Sequence, residues 1–209
     1  MAETNIYSVM GNAAPLYDIA LRASGYEKSV HFFISQLPFT EDTSIRVLDA
    51  GCGSGLYSLE ILRRYKNAQI TAFDIDKGFV DHLREKLAHK GLISRAEVFI
   101  GDITSDLAQL QNKSFDLVLT AGVLEYTPLK ETVANLARFV VTGGYWFNSP
   151  IRTTVWGHIV ARLYGCVPHR RQEYFAAAEP FFKVEKIIPL PPYRLSSFKE
   201  GQLFKKIAN

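Results

Sequence analysis

The sequence predicts an α/β protein: a doubly wound, mostly parallel seven-stranded sheet with helices on both faces and an antiparallel last strand. Three observations carry this. Between residues 45 and 148, short apolar runs alternate with stretches of helical periodicity. Repeats of that kind build a parallel sheet covered on both sides, and right-handed crossovers make it doubly wound. The first run ends in a glycine-rich loop, "VLDAGCGSG" at 47–55, just before a helical pattern begins. At the C-terminal end, two strand-like segments lie close enough in sequence to pair antiparallel at the sheet edge.

The elements follow in order. "PLYDIALRAS" (15–24) begins with a proline suited to a first helical turn, and Gly25 separates it from a second helix, "YEKSVHFFISQL". "IRVLDA" (45–50) is the first strand. "GLYSLEILRRY" spaces Leu56, Leu59 and Leu62 as one helix face. "AQITAF" is the second strand, and "GFVDHLREKLAHK" gathers Phe79, Val80, Leu83 and Leu87 on one face before Gly91 ends the helix. "AEVFI" and "FDLVLTA" are strands three and four, with a short helical stretch between them. "TPLKETVANLARFV" (127–140) predicts a helix with Thr127 as N-cap and Pro128 at its first position. Gly143-Gly144 then turn the chain into the fifth strand, "YWFN". After it, "VWGHIVARLY" (155–164) carries an apolar helical stripe, and "RRQEYFAAAE" is a short helix. "FFKVEKIIPL" and "SSFKEGQLFKKI" are the closing strands, joined by the Pro-rich turn "PPYRL".

The 209 residues make one domain, 1–209. It divides into an N-terminal helical cap (1–40), a binding core (45–148), an insertion (151–180) and closing strands (181–209). Apolar residues are 47% and charged residues 22%, the balance of a globular protein. The N-terminus lacks the basic-then-apolar pattern of a signal peptide, and no apolar run nears the roughly 18 residues of a spanning helix. Cys52 and Cys166 form no CxxC pair and no metal-ligand spacing, so no metal is expected and a reducing cytoplasm fits best. The net charge of +3 is unevenly spread. Residues 151–209 hold ten Lys/Arg against four Asp/Glu, whereas residues 1–150 hold 14 against 17. The last third therefore presents either an ordinary solvated basic surface or a face for an anionic partner, including peripheral membrane contact.

Ligands of open α/β sheets sit beyond the carboxyl ends of the strands. The loop "DAGCGSG" lies at such an end, where bare amides and a helix N-terminus favour an anionic group. Its GxGxG spacing, with Leu56 where the dinucleotide fingerprint has its third glycine, departs from that fingerprint, and no P-loop lysine follows. The second strand ends in "AFDID". Asp74, about 20 residues beyond the loop, is placed to accept from ribose hydroxyls, and Asp76 reads as a helix cap. At the end of the third strand, "FIGDIT", Asp102 reads as either an adenine-edge acceptor or a helix cap. These residues indicate an adenosine-containing ligand without separating NAD from other adenosyl cofactors.

In order and spacing, "VLDAGCGSG", "ITAFDID", "VFIGDIT", "FDLVLTAGVLEY" and "LARFVVTGGYWFN" resemble the class I S-adenosylmethionine-dependent methyltransferases over about residues 45–148. The resemblance implies the Rossmann-like methyltransferase fold and S-adenosyl-L-methionine as cofactor. By it, Asp49, Gly51 and Gly53 surround the methionine part, Asp74 binds ribose and Ile75 packs on adenine. Asp102 and Ile103 meet the adenine edge, and Ala121 lines the cofactor near its sulfonium. Tyr17 of the N-terminal cap is placed to close over it.

The acceptor is less legible. Candidate bases are Tyr126, where many relatives carry histidine, His158 and His31; each has a packing or surface reading too. The "NPPY" signature of nucleic-acid and protein amine methylation is absent, and "AGVLEY" is typical of relatives that modify small molecules or lipids. The expected acceptor is a small, apolar or lipid-like molecule. An RNA or protein substrate, or a non-catalytic adenosyl-binding role, are the alternatives. Oligomeric state is not encoded in any visible pattern.

Overall fold

The computed structural model describes Gly11, residues 13–191 and residues 197–208. Most of the Pro-rich turn expected at 191–195 lies outside them. Seven strands form one sheet: β1 (Arg46–Ala50), β2 (Gln69–Asp74), β3 (Ala96–Ile100), β4 (Phe115–Thr120), β5 (Val140–Asn148), β6 (Phe182–Pro189) and β7 (Glu200–Lys206). Their order is β3-β2-β1-β4-β5-β7-β6. β1 to β5 pair in parallel, and β7 runs antiparallel to both neighbours. The closing strands pair as expected, but only β6 lies at the edge. The reason is burial: Leu203 and Phe204 of β7 are 2% and 0% exposed on opposite faces, whereas residues 183–186 of β6 are exposed.

Side chains alternate between the two faces of each strand. Val47, Leu117, Leu119 and Phe147 meet one set of helices: α2 (Tyr26–Ser35), α3 (Leu56–Arg64) and α4 (Lys77–His89). Leu48, Val118, Trp146 and Phe204 meet the other set, α5 (Leu129–Ala137) and α7 (Arg171–Ala178). Two apolar cores thus sandwich the sheet, which is why the strands read as apolar runs rather than as strict alternation. Strand order reverses between β1 and β4, and their carboxyl ends open a crevice there.

The N-terminal cap is fastened to this frame by charge. Asp18 of α1 (Ala14–Ala23) accepts from Lys86 at 2.5 Å and pairs with His82 at 2.9 Å, and Lys86 also donates to the Ser54 carbonyl of the glycine loop. His82 of α4 is thereby half-buried beside Asp18.

Two local expectations shift. Thr127 does not cap α5; its hydroxyl donates back to the Leu124 carbonyl, and the helix starts at Leu129 behind Pro128. Gly143-Gly144 lie inside β5 rather than before it. Phe115 pairs with Val140 but Leu117 with Tyr145, so the glycines sit in a bulge, and a Cβ on Gly144 would meet the Asp116 carbonyl oxygen at 3.0 Å.

A buried polar chain ties the strand ends to α7. Trp146 Nε1 donates to Thr120 Oγ1, Thr120 to Asn148, Asn148 to Gln202 and Gln202 to Glu200, which Arg171 clamps with two nitrogens. Every link is donor to acceptor, so burial of these groups is compensated.

Candidate active site

The glycine loop explains its own composition. Gly51 and Gly55 have φ of +76° and +81°, where side chains are strained. A Cβ on Gly51 would lie 2.6 Å from Val123, and one on Gly55 2.2 Å from Leu83. Gly51 is thus pressed against the loop after β4, and Gly55 lets α4 close on the loop. The Gly51 and Cys52 amides both donate to the Phe73 carbonyl at 2.9 Å. The loop is locked to the end of β2, and the Gly55 amide closes it on the Cys52 carbonyl at 2.9 Å.

Asp74 reinforces that lock. One carboxylate oxygen accepts from the Gly53 amide at 2.8 Å, the other from the Asp76 amide at 3.0 Å. Asp76 in turn caps α4, accepting from Gly78 at 2.8 Å and Phe79 at 3.3 Å, as its position predicts. Asp102 accepts from the Thr104 amide and hydroxyl, closing a turn after β3. It does not cap a helix.

Asp49, at the end of β1, is 2% exposed and takes a 2.6 Å hydrogen bond from Ser58 of α3. Burial pushes its carboxyl up to about 6; the Ser58 hydrogen bond opposes this, and the charge of Asp74 adds to it. A buried carboxylate that pays for its charge is a group waiting for a cation.

These elements enclose a cavity of about 680 Å³, within the range of about 300–1,000 Å³ for small-molecule sites. All eight residues expected to hold the cofactor line it: Asp49, Gly51, Gly53, Asp74, Ile75, Asp102, Ile103 and Ala121. Tyr17 and Leu21 of α1 cover it from the N-terminal side.

The base candidates separate. Tyr126 lines the cavity, but its hydroxyl donates to the Tyr164 carbonyl at 3.0 Å, and burial pushes its phenol far above the ordinary range. That makes it a clamp on the insertion and a poor proton acceptor. His31 is outside the cavity lining; its ring, 54% exposed, pairs with Glu60 at 2.8 Å. His158 is exposed on α6 (Val155–Tyr164) and also lies outside the lining.

The insertion contributes differently from its sequence. The apolar stripe of α6 is split. Val160 and Tyr164 face the cavity, while Val155, Trp156, Ile159 and Leu163 are 45–78% exposed. Glu125 holds both ends of the segment: its side chain accepts from the Ile151 amide at 2.6 Å and its carbonyl from the Val167 amide at 3.1 Å. No sequence motif marks the part of the cavity wall made by Tyr26, Tyr57, Phe198 and Lys199. These come from α2, α3 and the approach to β7, and no spacing links them along the chain.

Residues 47–144 match the family described as "Methyltransferase domain". A malonyl-[acyl-carrier protein] O-methyltransferase of Priestia megaterium is 24% identical over 208 residues, covering 93% of this chain and 70% of that protein. A ubiquinone biosynthesis O-methyltransferase of Xanthomonas oryzae pv. oryzae is 33% identical over 144 residues, covering 64% of this chain; the match spans 58% of that relative's length. Among solved structures, a geranyl diphosphate C-methyltransferase from Streptomyces coelicolor, crystallised with S-adenosyl-L-homocysteine, superposes with a TM-score of 0.70 at 12% identity. It covers 86% of this chain and 76% of that one, a likeness of fold. Over residues 47–144 the chain is similar to the methyltransferase domain family, and its seven-stranded sheet shares the fold of that solved methyltransferase.

The residues present fit S-adenosylmethionine. That cofactor carries an ammonium and a sulfonium, and the cavity offers buried Asp49 and Asp74 beside bare loop backbone. Asp74 and Asp102 bring carboxylates to the cavity lining, and Ile75 and Ile103 bring apolar side chains. Among the described residues, no helix is long and apolar enough to cross a membrane.

Proposed function

We propose that this chain transfers the methyl group of S-adenosylmethionine to a small, largely apolar or lipid-like acceptor by in-line displacement. The carrying observation is the convergence of five strand ends and α1 on one cavity, acidic at the glycine loop and lined by apolar and aromatic side chains toward α6. When bound, the cofactor supplies a methyl on a positively charged sulfur. Asp49, Gly51 and Gly53 hold the methionine end, Asp74 the ribose, and Asp102 and Ile103 the adenine edge. Tyr17 and the α6 residues Val160 and Tyr164 close the site and exclude water.

The chain's contribution is alignment. Holding donor and acceptor in line is worth about 7–11 kcal/mol, so the reaction does not require a dedicated base, and Tyr126 serves as a clamp. The similarity to a malonyl-[acyl-carrier protein] O-methyltransferase and a ubiquinone biosynthesis O-methyltransferase supports an acceptor with apolar or carrier-bound character. The exposed ridge of α6 beside Arg162 and Arg170 supports peripheral contact with an anionic lipid surface.

Calorimetric titration of S-adenosylmethionine, S-adenosylhomocysteine and NAD, with Asp74→Ala as control, tests the reading. Micromolar binding of the two adenosyl sulfur compounds, weakened at least tenfold in the variant, is expected. Binding of NAD in place of both would overturn it.

A further inference from the structure

The cavity has a second pole. Lys199, directly before β7, is 8% exposed and lines the cavity. A Cβ on Gly122 would sit 2.8 Å from its nitrogen. The ammonium therefore overhangs the loop directly after β4, next to Ala121. Its hydrogen-bond partner is the Ser149 carbonyl at 3.1 Å, and it lies 6.0 Å from the centre of the Tyr26 ring.

An ammonium carries three donors, and a buried cation is costly unless an anion faces it. Lys199 forms no ion pair with any carboxylate among the described residues. The neighbouring acid Glu200 is committed to Arg171 and Arg152. One oxygen of Glu125 is taken by the Ile151 amide, and the other is buried with no hydrogen bond to Lys199. Elsewhere in the basic C-terminal third, charges are spent on local partners: Lys186 on Gln36 and Lys206 on the Ala137 carbonyl. Lys199 is a buried residue of the cavity wall whose ammonium has one hydrogen-bond acceptor, the Ser149 carbonyl.

We infer that Lys199 binds an anionic oxygen group of the methyl acceptor, a carboxylate or an ionised phenol on an otherwise apolar molecule. This rests on the proposed function and deepens it. The cavity is bipolar: carboxylates at the glycine loop receive the cationic donor, and the ammonium at the β7 end receives an anionic acceptor. Tyr26, Tyr57 and Val160 supply apolar and aromatic wall for the rest of that molecule. Lys199 is a specificity-determining residue in this reading and takes no part in bond making.

The test compares acids with their neutral amides: octanoate against octanamide, and 4-hydroxybenzoate against 4-hydroxybenzamide. Each is titrated calorimetrically into protein saturated with S-adenosylhomocysteine. The wild type is expected to bind each acid at least tenfold more tightly than its amide. Lys199→Met is expected to reduce that preference to twofold or less while leaving amide and S-adenosylhomocysteine affinities unchanged; Lys199→Arg is expected to retain it. The wild-type comparison stands even if a variant folds poorly. No acid preference in the wild type, binding of neither probe, or equal loss of acid and amide binding in Lys199→Met overturns the inference. Failure of the cofactor reading shows separately, as absence of S-adenosylhomocysteine binding in the wild type.

Discussion

Replacing Asp49 with Asn should make the ligand-free protein more stable and the cofactor-bound protein weaker. The carboxyl stands at about 6 in the fold against 3.8 for an ordinary aspartate. Each unit is worth 1.36 kcal/mol, so keeping this group ionised at neutral pH costs about 3 kcal/mol. Asn removes the charge and keeps an oxygen for Ser58, but brings an amide whose donors need partners; a net gain of about 2 kcal/mol remains. For a domain of this size that is about 4–8 °C in Tm. The sign is fixed by linkage. The folded-state value lies above the unfolded one, so this group's stabilisation is complete below pH 4 and lost as pH rises through 6. The Tm difference between Asp49→Asn and wild type should therefore be near zero at pH 4 and open up by pH 7.5. Scanning calorimetry without ligand, at four pH values across that range, measures it. The same charge is what a cationic cofactor meets, so Asp49→Asn should bind S-adenosylmethionine at least tenfold more weakly at pH 7.5, and wild-type affinity should fall below pH 6. Parallel Tm profiles for the two proteins, or a less stable variant at pH 7.5, would refute the reasoning.

Other consequences follow from single contacts. Gly51→Ala places a Cβ in a left-handed backbone and against Val123; urea unfolding should show a loss of about 1–3 kcal/mol, and cofactor binding should weaken with it. Glu125→Ala frees the Ile151 amide; trypsin should then cut at Arg152 or Arg162 several-fold faster, whereas Glu125→Gln, which keeps an acceptor, should resemble wild type. Serine at both Trp156 and Leu163 removes exposed apolar area worth about 1.5–3 kcal/mol per side chain when buried. Cosedimentation with phosphatidylglycerol vesicles should drop about tenfold or more in that double variant, and an absence of wild-type binding would end the membrane reading.

Most of the fold was written locally. Strand and helix periods, the caps at Asp76 and Gly91, and the loop before α3 are short-range signals, and they place the elements to within a few residues. The exceptions are places where a competing partner won. Thr127 found the Leu124 carbonyl instead of a helix amide. Gly143-Gly144 sit in a bulge, with Gly144 against the Asp116 carbonyl of the neighbouring strand and Gly143 at a φ of +77°. His82 is an ion-pair partner only because Asp18 arrives from α1. The stripe on α6 obeys helical spacing, yet only part of it is buried, since periodicity reports which residues share a face and not what covers that face.

The sequence by itself determined the proposed donor side of this site. The glycine loop, Asp74 and Asp102 each stand at the end of a strand, and chain order in an α/β sheet fixes where strand ends go. Tertiary structure alone decided the proposed acceptor side. It set Lys199, Tyr26 and Tyr57 around one wall, put β7 inside the sheet rather than at its edge, and turned Tyr126 into a clamp. Those residues are separated by up to 173 positions, and only packing of the cap and closing strands against the crevice brings them together.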